Sequence, residues 1–182
     1  MTALDAVLRR QSHSKVTEEA PTRLQLLPFV EAAATVADHS GLKPWRLIEL
    51  RGDARVRLGQ AFAEASGAEG KDAEKAAAKP LRASLLIAVV FTHKPSFKVP
   101  AWEQEAVASG VAHTLSLLLD EAGWGVFWRT GMLTRSEPVH RMHELAPNEQ
   151  LLGWLYVGGL PDKTKSDRRK RLEVGRYLTT LT

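Results

Sequence analysis

The chain has 182 residues, of which 44% are hydrophobic and 25% charged, and a formal net charge of +4. This is the balance of a globular domain able to bury a sizeable core, and it excludes a fibrous or largely disordered chain. There is no cysteine, so disulfides, thiolate metal sites and a catalytic thiol are excluded as well.

The start, TALDAVLRR, carries an early acid and lacks the apolar core of a secretory signal, so a cytoplasmic protein is expected. Thr2 with Asp5 has capping-box spacing and opens a short helix whose apolar face is Leu4, Val7 and Leu8. LRRQSHSK follows. Thr22 and Gln25 repeat the capping-box spacing and open a helix that buries Leu26, Val30, Ala33 and Ala37, bent by Pro28. ADHSGLKPW reads as a loop and PWRLIEL as the first strand. Gly52-Asp53 starts a helix with Val56, Leu58 and Phe62 inward, and the polar stretch 66–80 has room for a further short helix. SLLIAVVFT, 84–92, is a continuous apolar run rich in β-branched residues, expected to be a strand covered on both faces.

The longest helix is expected from about Trp102 to Ala122, apolar nearly all round and therefore buried, with His113 a core histidine and Gly123 ending it. Its apolar run, Ala106–Leu119, is shorter than the ~20 residues a bilayer span needs, so no membrane partner is expected. WGVFW is a third strand, RTGML a turn, Ser136 the cap of a short helix containing Pro138, and LLGWLYVGGL, 151–160, a fourth strand. Strands alternating with helices indicate an α/β or α+β sandwich around one sheet. One domain is expected over 1–160, with 161–182 as its basic C-terminal extension. That extension contains KTKSDRRKR, 163–171. A basic run favours an anionic partner, but this one has no interleaved aromatics for stacking on bases, and a nucleic-acid partner is not expected.

Few residues suggest chemistry on their own. Arg10, Ser12 and Ser14 offer a guanidinium fork and two hydroxyls, the donor set a phosphate takes; the same residues suit a solvated helix end. Trp128-Arg129-Thr130-Gly131 is a strand end whose glycine would let backbone approach a ligand. His140 and His143, with Glu144, lack a third ligand for a metal, and none is expected. There is no GxSxG elbow, P-loop or GxGxxG fingerprint.

The order of motifs is more specific than any one of them. RRQS, DHSGLKPW, VPAWEQEAVASG, GWGVFWRTG and LLGWLYVGG, spread from Met1 to Gly159, resemble the FMN-dependent nitroreductase family, and within it the short YdjA-like NAD(P)H nitroreductase subgroup. The resemblance implies a central, mainly antiparallel sheet flanked by helices, in an intertwined homodimer with two FMN sites at the interface. It implies NADH or NADPH as electron donor and a small acceptor such as a nitroaromatic or quinone. The scheme would be ping-pong through flavin N5, with no catalytic side chain.

By position in the motifs, the resemblance assigns Arg10, Gln11 and Ser12, with Ser14 nearby, to the FMN phosphate. It assigns Ala37, Asp38 and His39, with Lys43 close by, to a loop reaching the partner's flavin. Trp128, Arg129, Thr130 and Gly131 go to the flavin ring, and Glu121, Ala122, Gly123, Trp124, Gly125 and Val126 to the nicotinamide cofactor. Arg169 and Arg171 have the spacing of the family's C-terminal basic pair, and read equally as a solvated tail. Many relatives have P-S-x-x-N-x-Q-P-W where this chain has ADHSGLKPW, so Lys43 replaces a glutamine. A cation at that edge of the ring would stabilise the anionic reduced flavin. Of the tryptophans, Trp45 and Trp154 are expected in the core and Trp102 in a pocket wall. A flavin-binding protein without turnover is the first alternative, and a nucleic-acid-binding protein using the basic run is the second.

Overall fold

The protein is described here by a computed structural model covering residues 2–162 and 172–181. Four strands, β1 (Trp45–Leu50), β2 (Leu85–Thr92), β3 (Trp124–Arg129) and β4 (Glu149–Gly159), form one sheet in the order β1-β2-β4-β3. Every neighbouring pair is antiparallel. The helices are α1 (Ala3–Arg9), α2 (Arg23–Ala33), α3 (Asp53–Ser66), α4 (Gly70–Ala77), α5 (Ala101–Glu121) and α6 (Glu137–Met142). The expected α+β sandwich is therefore present, with β3 at one edge of the sheet.

Local chemistry accounts for the helix starts. Thr2 Oγ1 accepts the Asp5 N–H at 3.2 Å while Asp5 accepts the Thr2 N–H at 2.9 Å. Thr22 and Gln25 repeat the exchange at 3.3 and 2.8 Å. Each box satisfies two donors that a helix N-terminus otherwise leaves orphaned. Ser136 differs from expectation: its hydroxyl donates to the Leu133 carbonyl, so it does not cap α6 with its side chain.

The sheet separates two cores. Leu85, Ile87, Val89 and Phe91 of β2 face α2 and α5, meeting Ala108, Val111, Leu115 and Leu119. Leu86, Ala88 and Val90 face the other way, toward Leu58 and Phe62 of α3 and Val139 of α6. This is the two-sided burial expected of the SLLIAVVFT run.

Several expectations need correction. Ala37 lies beyond the end of α2 and is exposed. Val56 is exposed, because α3 turns only its Leu58 and Phe62 face inward. Leu4, Val7 and Leu8 of α1 are exposed within the single chain. The long helix α5 is buried on one side only: Trp102, Ala106 and His113 are exposed, so His113 is not a core histidine. A run of small and apolar residues reads the same whether a helix is covered all round or on one face.

A bulge in β4 shapes the neighbourhood of β3. Val89 pairs with Gly153 and Val90 with Leu151, leaving Leu152 as the extra residue. The bulge resets the side-chain alternation, so Leu151 and Trp154 share the α3 face although their separation is odd. Gly153 has φ +136°, and a Cβ there would overlap the Arg129 carbonyl oxygen and lie 2.8 Å from Trp128 Nε1. Only glycine lets the end of β3 press this closely on β4.

Candidate functional site

Residues 10–13 run along the outer edge of β3, where the His13 N–H donates to the Val126 carbonyl at 2.9 Å. Arg10 and Ser12 turn into a cavity of about 190 Å³ shared with His113, Ser116, Val126 and Trp128. Arg10 Nη1 reaches Ser12 Oγ at 3.5 Å. Arg10 has no carboxylate partner among the described residues, whereas Arg9 beside it is bound to Glu121 at 2.5 Å. The His113 ring meets Trp128 edge-on, with centroids 4.9 Å apart. Ser14 is exposed and does not line the cavity.

Pleat alternation carries the backbone groups of Trp128 outward on the same side as the Val126 carbonyl. Past them the chain turns at Gly131, whose φ of +119° strongly favours glycine. This turn opens into a second cavity of about 490 Å³, walled by Phe62, Phe127, Trp154 and Tyr156 and by the Trp128–Leu133 segment. Lys79, Arg82 and Arg129 also line it, and no carboxylate does. Arg129 lies over the Phe127 and Tyr156 rings, 4.5 and 5.0 Å from their centroids. Arg129 Nε and Trp128 Nε1 are buried without a hydrogen-bond partner. Burial pushes the Tyr156 hydroxyl up to about 12, against the opposing pull of Arg129 and Arg82. Lys79 and Arg82 sit in a 3₁₀ turn (Lys79–Arg82) before β2 and had no signal in the sequence beyond two cations in a polar stretch.

Trp154 is core, as expected, and donates its indole N–H to His143 Nε2 at 3.0 Å. His143 donates from Nδ1 to the Val139 carbonyl at 2.8 Å, an arrangement that requires the neutral ring. Burial holds its pKa below the usual histidine value. His140 bonds the Thr134 carbonyl at 2.9 Å. The two imidazoles are thus turned to different backbone partners. His143 lies in the core.

A third cleft, about 400 Å³, lies at the other end of α5 between Val36, Ala37, His39, Trp102 and Ala106. His39 Nδ1 and Glu103 are 3.0 Å apart, and Asp38 accepts the Lys43 N–H at 2.7 Å. Lys43 is exposed, with φ +47°. Along α5, Ala106, Gly110 and His113 line the way from this cleft to the Arg10 cavity.

Within the chain, then, Arg10, Ser12, Val126 and Trp128 are brought together, and Trp128 links them to Arg129, Thr130 and Gly131. Ala37 and His39 are held apart from both groups. In the 121–126 stretch, Glu121 is tied to Arg9, Ala122 and Gly123 are exposed and Trp124 packs on the core. Gly125 is covered by Val16 and His13. The Gln11 N–H donates to Asp120 at 3.3 Å, a partner that sequence reading missed. Arg169 and Arg171 lie outside the described residues.

Residues 7–159 match the family model described as the nitroreductase family. The Escherichia coli K12 protein called "Putative NAD(P)H nitroreductase YdjA" is 33% identical over 161 residues, covering 87% of this chain and 88% of that protein. The chain belongs to the nitroreductase family. A Haemophilus influenzae relative of similar designation is 26% identical over 174 residues, covering 93% of this chain and 94% of its own. Among solved structures, a nitroreductase-like family protein from Bacillus cereus superposes with a TM-score of 0.85 at 17% identity, over 100% of this chain and 96% of that one. The FMN and NADPH-dependent nitroreductase NfnB from Sphigopyxis sp. strain HMH superposes at 0.78 and 14% identity, over the full length of both. At these identities the structural likeness concerns the fold. Family membership makes the protein an oxidoreductase of the nitroreductase kind. No helix among the described residues is long and apolar enough to cross a membrane.

Proposed function

We propose that this nitroreductase is an FMN-dependent enzyme, with residues 1–160 as one FMN-binding domain. It would oxidise NADH or NADPH and reduce a nitroaromatic, quinone or similar acceptor by a ping-pong scheme. The observation that carries this reading is the juxtaposition along the outer edge of β3. A guanidinium without a carboxylate partner among the described residues and a hydroxyl, Arg10 and Ser12, stand at one end, and the Thr130–Gly131 turn opens a cationic aromatic cavity at the other. That pattern suits a ligand with an anionic tail and a large planar head.

In this reading Arg10 and Ser12 hold the phosphate through charge-assisted hydrogen bonds. The backbone at Thr130 and Gly131 supplies donors to the ring edge, and the aromatic walls exclude water from it. Lys79 and Arg82 offset negative charge on the reduced ring, which a partly buried cation does far better than bulk water. FMN, when bound, supplies the redox chemistry, so the protein needs no nucleophilic side chain. The stretch Glu121–Val126, adjoining the cradle, is assigned to the nicotinamide cofactor.

A homodimer completes the site. Ala37, His39 and Trp102 line a cleft with no ligand-sized anion cradle of its own, at the far end of α5 from Arg10. Trp102 is 70%, Leu178 74% and Leu181 98% exposed, apolar surface that a second copy would cover. In a pair of copies, each Ala37–Lys43 loop would close over the other's ring.

The test is the visible spectrum of purified protein. Flavin bands lost on stripping and restored by FMN, NAD(P)H oxidation that depends on them, and a dimer on gel filtration are expected. A colourless protein indifferent to added FMN would refute the reading.

A further inference from the structure

The last turn of α5 carries two consecutive acids, Asp120 and Glu121, and no base. Carboxylates there face the negative end of the helix macrodipole, an unfavourable place for them. Both are engaged by the N-terminal segment. Glu121 holds Arg9, while Asp120 Oδ1 accepts the Gln11 N–H at 3.3 Å and lies 3.6 Å from His13 Nε2. The Asp120 and His13 side chains are only 10% and 14% exposed.

The segment is extended, with Arg10 at φ −50° and ψ 131°, so successive residues face opposite sides. The Arg9 and His13 side chains and the Gln11 N–H meet the acidic end of α5; Arg10 and Ser12 turn to the cavity. A slip of one residue would exchange the two sets and aim Gln11 and His13 at the cavity instead. The His13 N–H bond to the Val126 carbonyl opposes that slip at one end of the segment, and Asp120 opposes it at Gln11.

We propose that Asp120 is a positioning residue that sets the register of residues 9–13, and through it aims Arg10 and Ser12 at the cofactor phosphate. The inference rests on the FMN reading above. Asp120 lies behind the cradle and acts through the Gln11 backbone, so its effect is confined to the phosphate end of the ligand.

The test compares binding of FMN and of riboflavin, which lacks the phosphate, to stripped dimeric protein by flavin fluorescence. Wild type prefers FMN, and Arg10→Ala loses much of that preference. Asp120→Ala is expected to lose about tenfold in FMN affinity, the scale of one hydrogen bond that positions a charged contact, with riboflavin affinity within about twofold of wild type. Asp120→Asn keeps an oxygen for the Gln11 N–H and is expected to retain the preference. Where the alanine variant does not fold, Asp120→Ser, too short to reach Gln11, is read in the same way. General loosening of the fold would lower both affinities together. An alanine variant with the wild-type FMN to riboflavin ratio, or an asparagine variant as impaired as alanine, overturns the inference alone. A wild-type protein with no preference for FMN overturns the cofactor reading and this inference with it.

Discussion

Substituting Gly153 by alanine tests how the β4 bulge holds the site. Two costs add. The native φ of +136° is one that an L side chain rarely adopts, and such backbone strain is worth about 1–3 kcal/mol. The new Cβ would also overlap the Arg129 carbonyl oxygen and lie 2.8 Å from Trp128 Nε1, where ordinary contact begins at 3.4 Å. Relieving it pushes the end of β3 off β4, a cost of about 1–3 kcal/mol for overpacking. A loss of about 2–6 kcal/mol in unfolding free energy is therefore expected, measured by urea denaturation of stripped protein. Because the displaced strand end leads into Thr130 and Gly131, flavin retained through desalting should fall as well. A variant with the wild-type midpoint and full flavin occupancy would show that β3 is not held by this contact, and the account of the site's rigidity would fail.

Other expectations concern charge. Arg46 holds Glu149 by two hydrogen bonds, 2.7 and 2.8 Å, and Glu149 is otherwise buried. Arg46→Met should cost about 2–3 kcal/mol in a denaturation experiment, at or below the low end for breaking a buried pair because Arg46 is itself partly exposed. The Arg46 guanidinium and the Ala146 and Thr92 donors keep the Glu149 carboxyl down at about 2 against 4.5. Its folded pKa is depressed, so its contribution is complete above about 4.5 and is lost as the pH falls toward about 2. Glu149→Gln should flatten the stability profile across that window, and an unchanged acid limb would contradict the assignment. His143, depressed by burial, adds the same sign of dependence starting from the usual histidine range, and His143→Gln should remove it. Replacing Lys79 and Arg82 together by methionine should make the flavin midpoint potential more negative, since the reduced ring loses its nearby cations. A potential that stays put in spectroelectrochemical titration would remove those residues from the ring's surroundings.

Features written in short-range chemistry were legible along the chain. The Thr2 and Thr22 capping boxes, the doubly covered SLLIAVVFT strand and the long helix after Pro100 each depend on residues within one or two turns of one another. Arg10, Ser12 and Trp128 were legible as candidate site residues mainly through the order of motifs. Their convergence depends on the segment before α2 lying along the edge of β3. What stayed hidden depends on partners distant in sequence. Asp120 meets Gln11 across 109 residues, His143 is buried by Trp154 from the next strand, and Lys79 and Arg82 reach the cavity because α3 packs on the far face of the sheet. His113 and Ala106 were misread as core because composition says how apolar a helix is but not which of its faces is covered.

By itself, then, the sequence determined the type and order of the elements and the family, since hydrophobic period, capping and motif order are properties of neighbours. Only the tertiary structure decided which side chains share a cavity, which acids and imidazoles are buried with partners, and where a glycine is obligatory. Those are outcomes of packing surfaces brought together from far along the chain, where one bulge or one covered helix face reverses the direction in which a residue points.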